Sequence, residues 1–166
     1  PKARVQLLGS GTILNEVIKA AEMLERDYGI AADVWSATSY KALYYDAIEA
    51  ARHNRLNPGS KARLPYVAQC LNPTEGPIVA ASDYMKVLPA MVSGFLNRPI
   101  HSLGTDGFGR SETREALRDF FEVDAKHVLI TALSALRSEG KVSASTFTEA
   151  IKKLGIDPKR EHPHKR

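Results

Sequence analysis

Apolar residues fall first into four short runs, Val5–Leu8, Ala32–Ser36, Ile78–Ala81 and Ile100–Leu103, each bounded by turn residues. Runs of that length and setting predict buried β-strands. Between them the spacing becomes helical. Ile13, Val17, Ala20, Ala21, Leu24 and Tyr28 share one helical face, with Thr12 as the expected N-cap and Gly29 just past the end. Tyr40, Leu43, Tyr44, Ala47 and Ala51 make a second face behind Ser39. A third, Tyr84, Val87, Leu88, Met91, Val92 and Phe95, follows Asp83, and Pro89 is expected to kink or shorten it. Alternation of strands and helices requires a largely parallel sheet, because parallel neighbours need crossovers that return over a sheet face. The predicted class is α/β, in three layers, with a mostly parallel sheet flanked by helices.

After Leu103 the pattern is helical throughout. Ser111, Asp124 and Ser143 each stand at the head of a helix, and Val123 and Val142 are placed to staple onto Val128 and Phe147. Gly140 and Gly155 then mark C-terminal ends, and Pro158 prevents resumption. Residues 1–158 read as a single domain, and 159–166, which lack apolar periodicity, as a mobile basic tail. The Asn54–Arg63 stretch, with its Asn-Pro-Gly-Ser core, is short for a domain boundary and reads as a surface loop. The first strand begins without a lead-in. That leaves open both a piece cut from a longer chain and a complete protein whose initiator Met was removed before Pro1.

Composition narrows the class. With 43% apolar and 25% charged residues over 166 positions, the chain is neither disordered nor fibrous, and it is long enough to need no disulfide or structural metal. The single cysteine, Cys70, forms no intrachain bridge, so a reducing cytoplasmic setting is expected. The net charge of +4 comes from the two ends: Lys159–Arg166 hold four bases and one acid, and the first four residues hold Lys2 and Arg4. The remainder is close to neutral and lacks the broad cationic face that a phosphate backbone demands, so no nucleic acid is expected as a partner. No apolar run approaches the roughly 20 residues of a spanning helix, so no membrane is expected either.

Two glycine-rich segments attract attention for chemistry. Gly9-Ser10-Gly11-Thr12 lies between a strand and a helix, where backbone amides can hold an anion. It lacks both the third glycine of a dinucleotide fingerprint and the lysine of a P-loop, so it reads as a tight turn or as a weak anion site. Gly104-Thr-Asp-Gly-Phe-Gly-Arg-Ser111 joins the fourth strand to a helix, at the strand end where α/β proteins place ligands. Two readings stand side by side. In one it is a connection with a buried Phe108, an Asp106–Arg110 pair and a capping Ser111; in the other these residues reach a ligand or partner.

Elsewhere the signals are weaker. No two histidines have metal-ligand spacing on one helix face, and His127 reads as a first-turn surface residue. Any metal binding by His162 and His164 is expected to be weak and adventitious. Ser10 lacks a nucleophile elbow. Cys70 reads as a packed thiol, Trp35 as core or interface, and Lys152-Lys153 as a solvated helix face.

Several blocks together carry a resemblance. They are Arg4-Val-Gln-Leu-Leu-Gly-Ser-Gly-Thr-Ile-Leu-Asn-Glu-Val17, Ala31-Ala-Asp-Val-Trp-Ser36 and Glu75-Gly-Pro-Ile-Val-Ala-Ala-Ser-Asp-Tyr-Met85. Above all there is Leu103-Gly-Thr-Asp-Gly-Phe-Gly-Arg-Ser-Glu-Thr-Arg114, followed by Phe120-Phe-Glu-Val-Asp124. In that order they resemble the C-terminal domain of the homodimeric pyruvate dehydrogenase decarboxylase component. The last two runs separate this type from transketolase and from the two-subunit enzymes.

The resemblance implies the α/β fold of a transketolase C-terminal domain and a fragment of a longer, three-domain enzyme. That enzyme uses thiamin diphosphate and magnesium to decarboxylate pyruvate and acetylates the lipoyl group of a dihydrolipoyl acetyltransferase core. Its implied partners are the remaining domains of the same chain, the second subunit of a homodimer, and that core. The family's cofactor motif, Gly-Asp-Gly followed at a distance by Asn, is absent here, since Thr105-Asp106-Gly107 does not match it. No catalytic residue, cofactor or metal is therefore assigned to this chain. Asp106, Phe108, Arg110 and Ser111 become candidates for an interface or an active-site entrance. An autonomous α/β module binding an anion or nucleotide is the alternative.

Overall fold

In the computed structural model, which describes residues 3–166, all four apolar runs are strands: β1 (Ala3–Gly9), β2 (Ile30–Ser36), β3 (Ile78–Ala81) and β4 (Ile100–Leu103). They form one sheet in the order β2-β1-β3-β4, with every neighbouring pair parallel. Leu7 stands opposite Val34 on one side and Val79 on the other. Alternate side chains feed two apolar clusters. Val5, Leu7, Val79 and Ala81 join the first, and Leu8, Ile78 and Ala80 the second. Residues of α1 (Leu14–Tyr28), α6 (Ala125–Ser138) and α7 (Ala144–Lys153) close the first cluster. Residues of α2 (Tyr40–Leu56) and α3 (Tyr66–Leu71) close the second. Two short helices, α4 (Val87–Ala90) and α5 (Arg114–Phe120), complete the α/β/α architecture.

Helix termini follow their local chemistry. The side chains of Ser39, Asp124 and Ser143 accept hydrogen bonds from the N–H groups of Ala42, His127 and Thr146. Beyond α6, Gly140 takes φ 72°, which lets its N–H reach Arg137 O and the Lys141 N–H reach Leu136 O, both at 2.9 Å. A polar residue at the centre of the sheet is equally well satisfied. Gln6 is fully buried, its Nε2 donating to Asp33 and to the Glu75 carbonyl while its Oε1 accepts from Trp35 Nε1.

Several expectations need correction. Thr12 does not cap α1; it lies in a 3-10 turn, Gly11–Ile13, and the helix begins at Leu14. The strand-to-helix connection is too tight for an ordinary cap, since a Cβ on Gly9 would stand 2.7 Å from Leu14 Cα. Ser111 does not cap α5 either; Thr113 Oγ1 accepts from the Ala116 N–H at 3.3 Å. The helix expected behind Asp83 is reduced to α4 and a 3-10 turn at Ser93–Phe95, with Pro89 in the first turn of α4, where a missing N–H costs nothing. In the other direction, α2 runs on to Leu56, and the Tyr66–Leu71 run is a helix. The exposed loop between them is clasped by Asn54, whose side chain accepts from the Arg63 N–H and donates to the Arg63 carbonyl.

His127 is buried rather than on the surface, its Nδ1 2.6 Å from Asp124 Oδ1, and it borders a small cleft shared with Gly155, Ile156, Asp157 and Arg160. Cys70 is only half-buried. Lys153 is exposed as expected and pairs with Asp27 at 3.3 Å. The segment 159–166, expected to be a mobile tail, is placed against the body of the protein by polar contacts that apolar periodicity does not register. Arg160 bonds Asp119 Oδ2 at 2.7 Å and Arg166 donates to the Phe120 carbonyl at 3.2 Å. Pro163 is buried.

Candidate functional site

Because β2 flanks β1 on one side and β3 on the other, the chain changes direction between the carboxyl ends of β1 and β3. Such a switch point opens a crevice in parallel sheets. Here it is a cleft of 630 Å³ lined by Thr12 and Ile13, by Asp83 beyond β3, by Thr105, Gly107, Gly109 and Arg110, and by Arg114 and Arg118 of α5. The two glycine-rich segments, distant in sequence, meet across it. On the first, Gly9 provides close packing and Gly11 a left-handed turn at φ 54°. The Ser10 hydroxyl is buried without a hydrogen-bond partner among the described residues.

The second segment is laced to residues 83–86. A Cβ on Gly104 would lie 2.4 Å from the Tyr84 carbonyl oxygen. The Thr105 N–H donates to that carbonyl at 2.9 Å, and its hydroxyl donates to the Asp83 carbonyl at 2.7 Å. Asp106 Oδ1 accepts from the Lys86 N–H at 3.0 Å. The expected connection with a buried Phe108 and an Asp106–Arg110 pair is therefore not what forms. Asp106 turns inward to backbone, the Arg110 guanidinium stacks 4.4 Å above the Phe120 ring, and Phe108 stands 89% exposed at the loop tip. Gly107 needs its glycine, with φ 105° and a would-be Cβ 3.1 Å from His164 Cα, whereas Gly109 faces open space. Ser111 is exposed and lines a second cleft with Arg110, Phe120, Arg160 and Arg166.

Two features escaped the sequence reading. Tyr84, Met85 and Val87 are exposed beside the loop at 66%, 59% and 59%. Beneath the cleft, the buried Glu16 of α1 accepts from Arg118 at 2.9 Å and from the Ala125 N–H at 3.1 Å, tying α1, α5 and α6 together. Its position, three residues after Ile13 and four before Ala20, places it on the apolar face and was the available signal.

Among the described residues, one cluster has the spacing to hold a metal ion: Asp119, Asp124 and His127. Its donors are already engaged. Asp119 is bonded by Lys126 and Arg160; burial alone would raise its pKa, but these partners outweigh it and hold the carboxyl at about 2. Asp124 caps α6 and binds His127. With Lys126 and Arg160 already bound to Asp119, such a set does not fit magnesium, which is held through carboxylate oxygens. No helix of the described residues is long and apolar enough to cross a membrane.

Comparison with known proteins places this geometry. The family model of the transketolase-like TK C-terminal domain matches residues 1–124. The pyruvate dehydrogenase E1 component of Pseudomonas aeruginosa is 48% identical over 160 residues, 96% of this chain and 18% of that protein. Those of Haemophilus influenzae and Escherichia coli K12 are 46% and 44% identical over 163 residues, 98% of this chain and 18% of theirs. The chain thus spans less than a fifth of the length of the curated relatives it matches. Among solved structures, a split gene transketolase described as an inactive beta4 tetramer superposes with a TM-score of 0.55. It is 22% identical and covers 81% of this chain and 39% of its own, a likeness of fold.

Proposed function

This chain belongs to the transketolase-like TK C-terminal domain family, and from that premise we propose that it serves as the C-terminal, non-catalytic domain of a pyruvate dehydrogenase E1 component. The observation that carries this reading is 48% identity sustained over 96% of the chain with a protein of that name. The Gly104–Ser111 and Phe120–Asp124 runs support it. In this reading the longer polypeptide decarboxylates pyruvate with thiamin diphosphate and magnesium, in the cytoplasm, and passes the acetyl group to a dihydrolipoyl acetyltransferase core. Cofactor and catalytic groups lie outside this chain. An antibody raised against the chain is expected to detect, in the source cells, a polypeptide about five times its 18.2 kDa. A native product of 18.2 kDa overturns the reading.

The domain's contribution is then contact. Tyr84, Met85, Val87 and Phe108 form an exposed apolar face beside the cleft, of the kind that marks a binding surface. The remaining domains and the second subunit of a homodimer are its natural cover. Asp106, Phe108, Arg110 and Ser111 would lie at that boundary or at the active-site entrance. In the full-length enzyme, Asp106→Ala removes the bond to the Lys86 N–H, a loss of about 1 kcal/mol. It is expected to lower pyruvate turnover or weaken the dimer by about fivefold while leaving the domain folded. A lower urea midpoint with unchanged turnover and dimer dissociation would assign the loop to stability alone.

A further inference from the structure

Three basic groups meet beside the Gly104–Ser111 loop. Lys86 Nζ lies 2.8 Å from His162 Nε2, and His162 Nδ1 lies 2.5 Å from His164 Nδ1. One proton arrangement satisfies these two short contacts, and it gives up only the longer, 3.4 Å approach of the His164 backbone N–H to His162 Nδ1. The ammonium donates to Nε2, so the His162 proton stands on Nδ1, where it donates to the bare Nδ1 of His164. Both imidazoles are then neutral, and any added proton breaks the sequence of donors and acceptors. On His162 it sets an N–H against the ammonium. On His164 Nδ1 it sets two N–H groups face to face, unless the His162 proton moves to Nε2, where it again opposes Lys86.

The groups facing His162 act in both directions. Burial, Lys86 and His164 push its pKa below the ordinary 6.5, and they prevail over Glu122, from the end of α5, and Asp106, from the loop, which favour the charged ring. The same turn of chain supports the candidate loop. The would-be Cβ of Gly107 lies 3.1 Å from His164 Cα and 3.4 Å from the Pro163 carbonyl. Lys86 also donates its backbone N–H to Asp106.

We propose that Lys86, His162 and His164 form a proton-sensitive latch that holds the 162–165 turn against the Gly104–Ser111 loop and releases it on acidification. The latch does not depend on the family reading, because every group in it belongs to this chain. Docking is complete while His162 is neutral and is lost as the pH falls through its lowered value. The Arg160–Asp119 pair, its carboxyl held at about 2, keeps the preceding residues in place.

An NMR titration of this chain from about pH 7.5 to about 4.5 tests the latch, following the imidazole Cε1 protons and the Gly107 and His164 amides. The amides are expected to shift together with His162, with a midpoint below 6.5. Lys86→Met should move that midpoint upward, towards 6.5, and His164→Gln should remove the transition from Gly107. A wild-type midpoint at or above 6.5, indifference to Lys86→Met, or a Gly107 amide that stays still while His162 titrates overturns the proposal.

Discussion

Glu16→Ala is expected to lower the unfolding free energy by about 3–5 kcal/mol, the range for a buried ion pair that loses one partner. The Glu16 side chain is 9% exposed and the Arg118 side chain facing it 15%, so neither charge has water to fall back on. The carboxylate does three things at once. It neutralises Arg118 at 2.9 Å, accepts the Ala125 N–H at 3.1 Å at the positive end of α6, and is met by Lys19 at 3.2 Å. Alanine abolishes all three and leaves the guanidinium stranded between α1 and α5. Urea unfolding measures the loss. Adding Arg118→Leu to the first substitution should restore part of it, because the stranded charge goes. A loss under about 1 kcal/mol, or strict additivity of the two substitutions, would mean that Arg118 finds solvent when its partner is removed.

That carboxylate also marks a boundary of what sequence can convey. β1 and β3 are buried on both faces, so they read as unbroken apolar runs with no competing interpretation. Ser39, Asp124 and Ser143 were legible as caps because each stands immediately before its periodic segment. At α5 two candidates compete, Ser111 and Thr113, and the choice falls to tertiary structure: the loop remains tied to residues 83–86 through Asp106 and begins its helix only after crossing the cleft. The closed-connection reading of Phe108 and Arg110 fails for a related reason. Local proximity pairs Arg110 with Asp106, but the folded chain offers the Phe120 ring to the guanidinium and the Lys86 N–H to the carboxylate. His127 borders a small cleft with residues that return from beyond α7, a proximity with no local trace. The family was legible all the same, since its motifs are carried in the order of residues and need no contacts to be recognised.

The loop's glycines offer the second large effect, and a contrast inside one segment. At Gly104 a methyl group would lie 2.4 Å from Tyr84 O, 2.7 Å from Lys86 N and 2.9 Å from Met85 C. All three neighbours are backbone, which cannot turn aside as a flexible side chain could. Its φ lies outside the left-handed region, so the demand for glycine is purely one of space. Gly104→Ala must therefore separate the loop from residues 84–86 or distort both, at a cost of about 3 kcal/mol, the upper end for overpacking. The hydrogen bonds from the Thr105 N–H to Tyr84 and from the Lys86 N–H to Asp106 should lengthen together. Faster amide exchange at both positions is the expected sign of it. Gly109 has nothing within 4 Å of its would-be Cβ and no positive φ. Gly109→Ala should leave stability unchanged or raise it by up to about 1 kcal/mol, by restricting the unfolded chain. Urea midpoints of the two variants measured side by side decide the matter. Equal losses at both positions would mean that the segment is a uniformly strained connection. A loss confined to Gly104 fixes the hinge of the loop at its first residue and leaves the tip, with Phe108, free to meet whatever covers it.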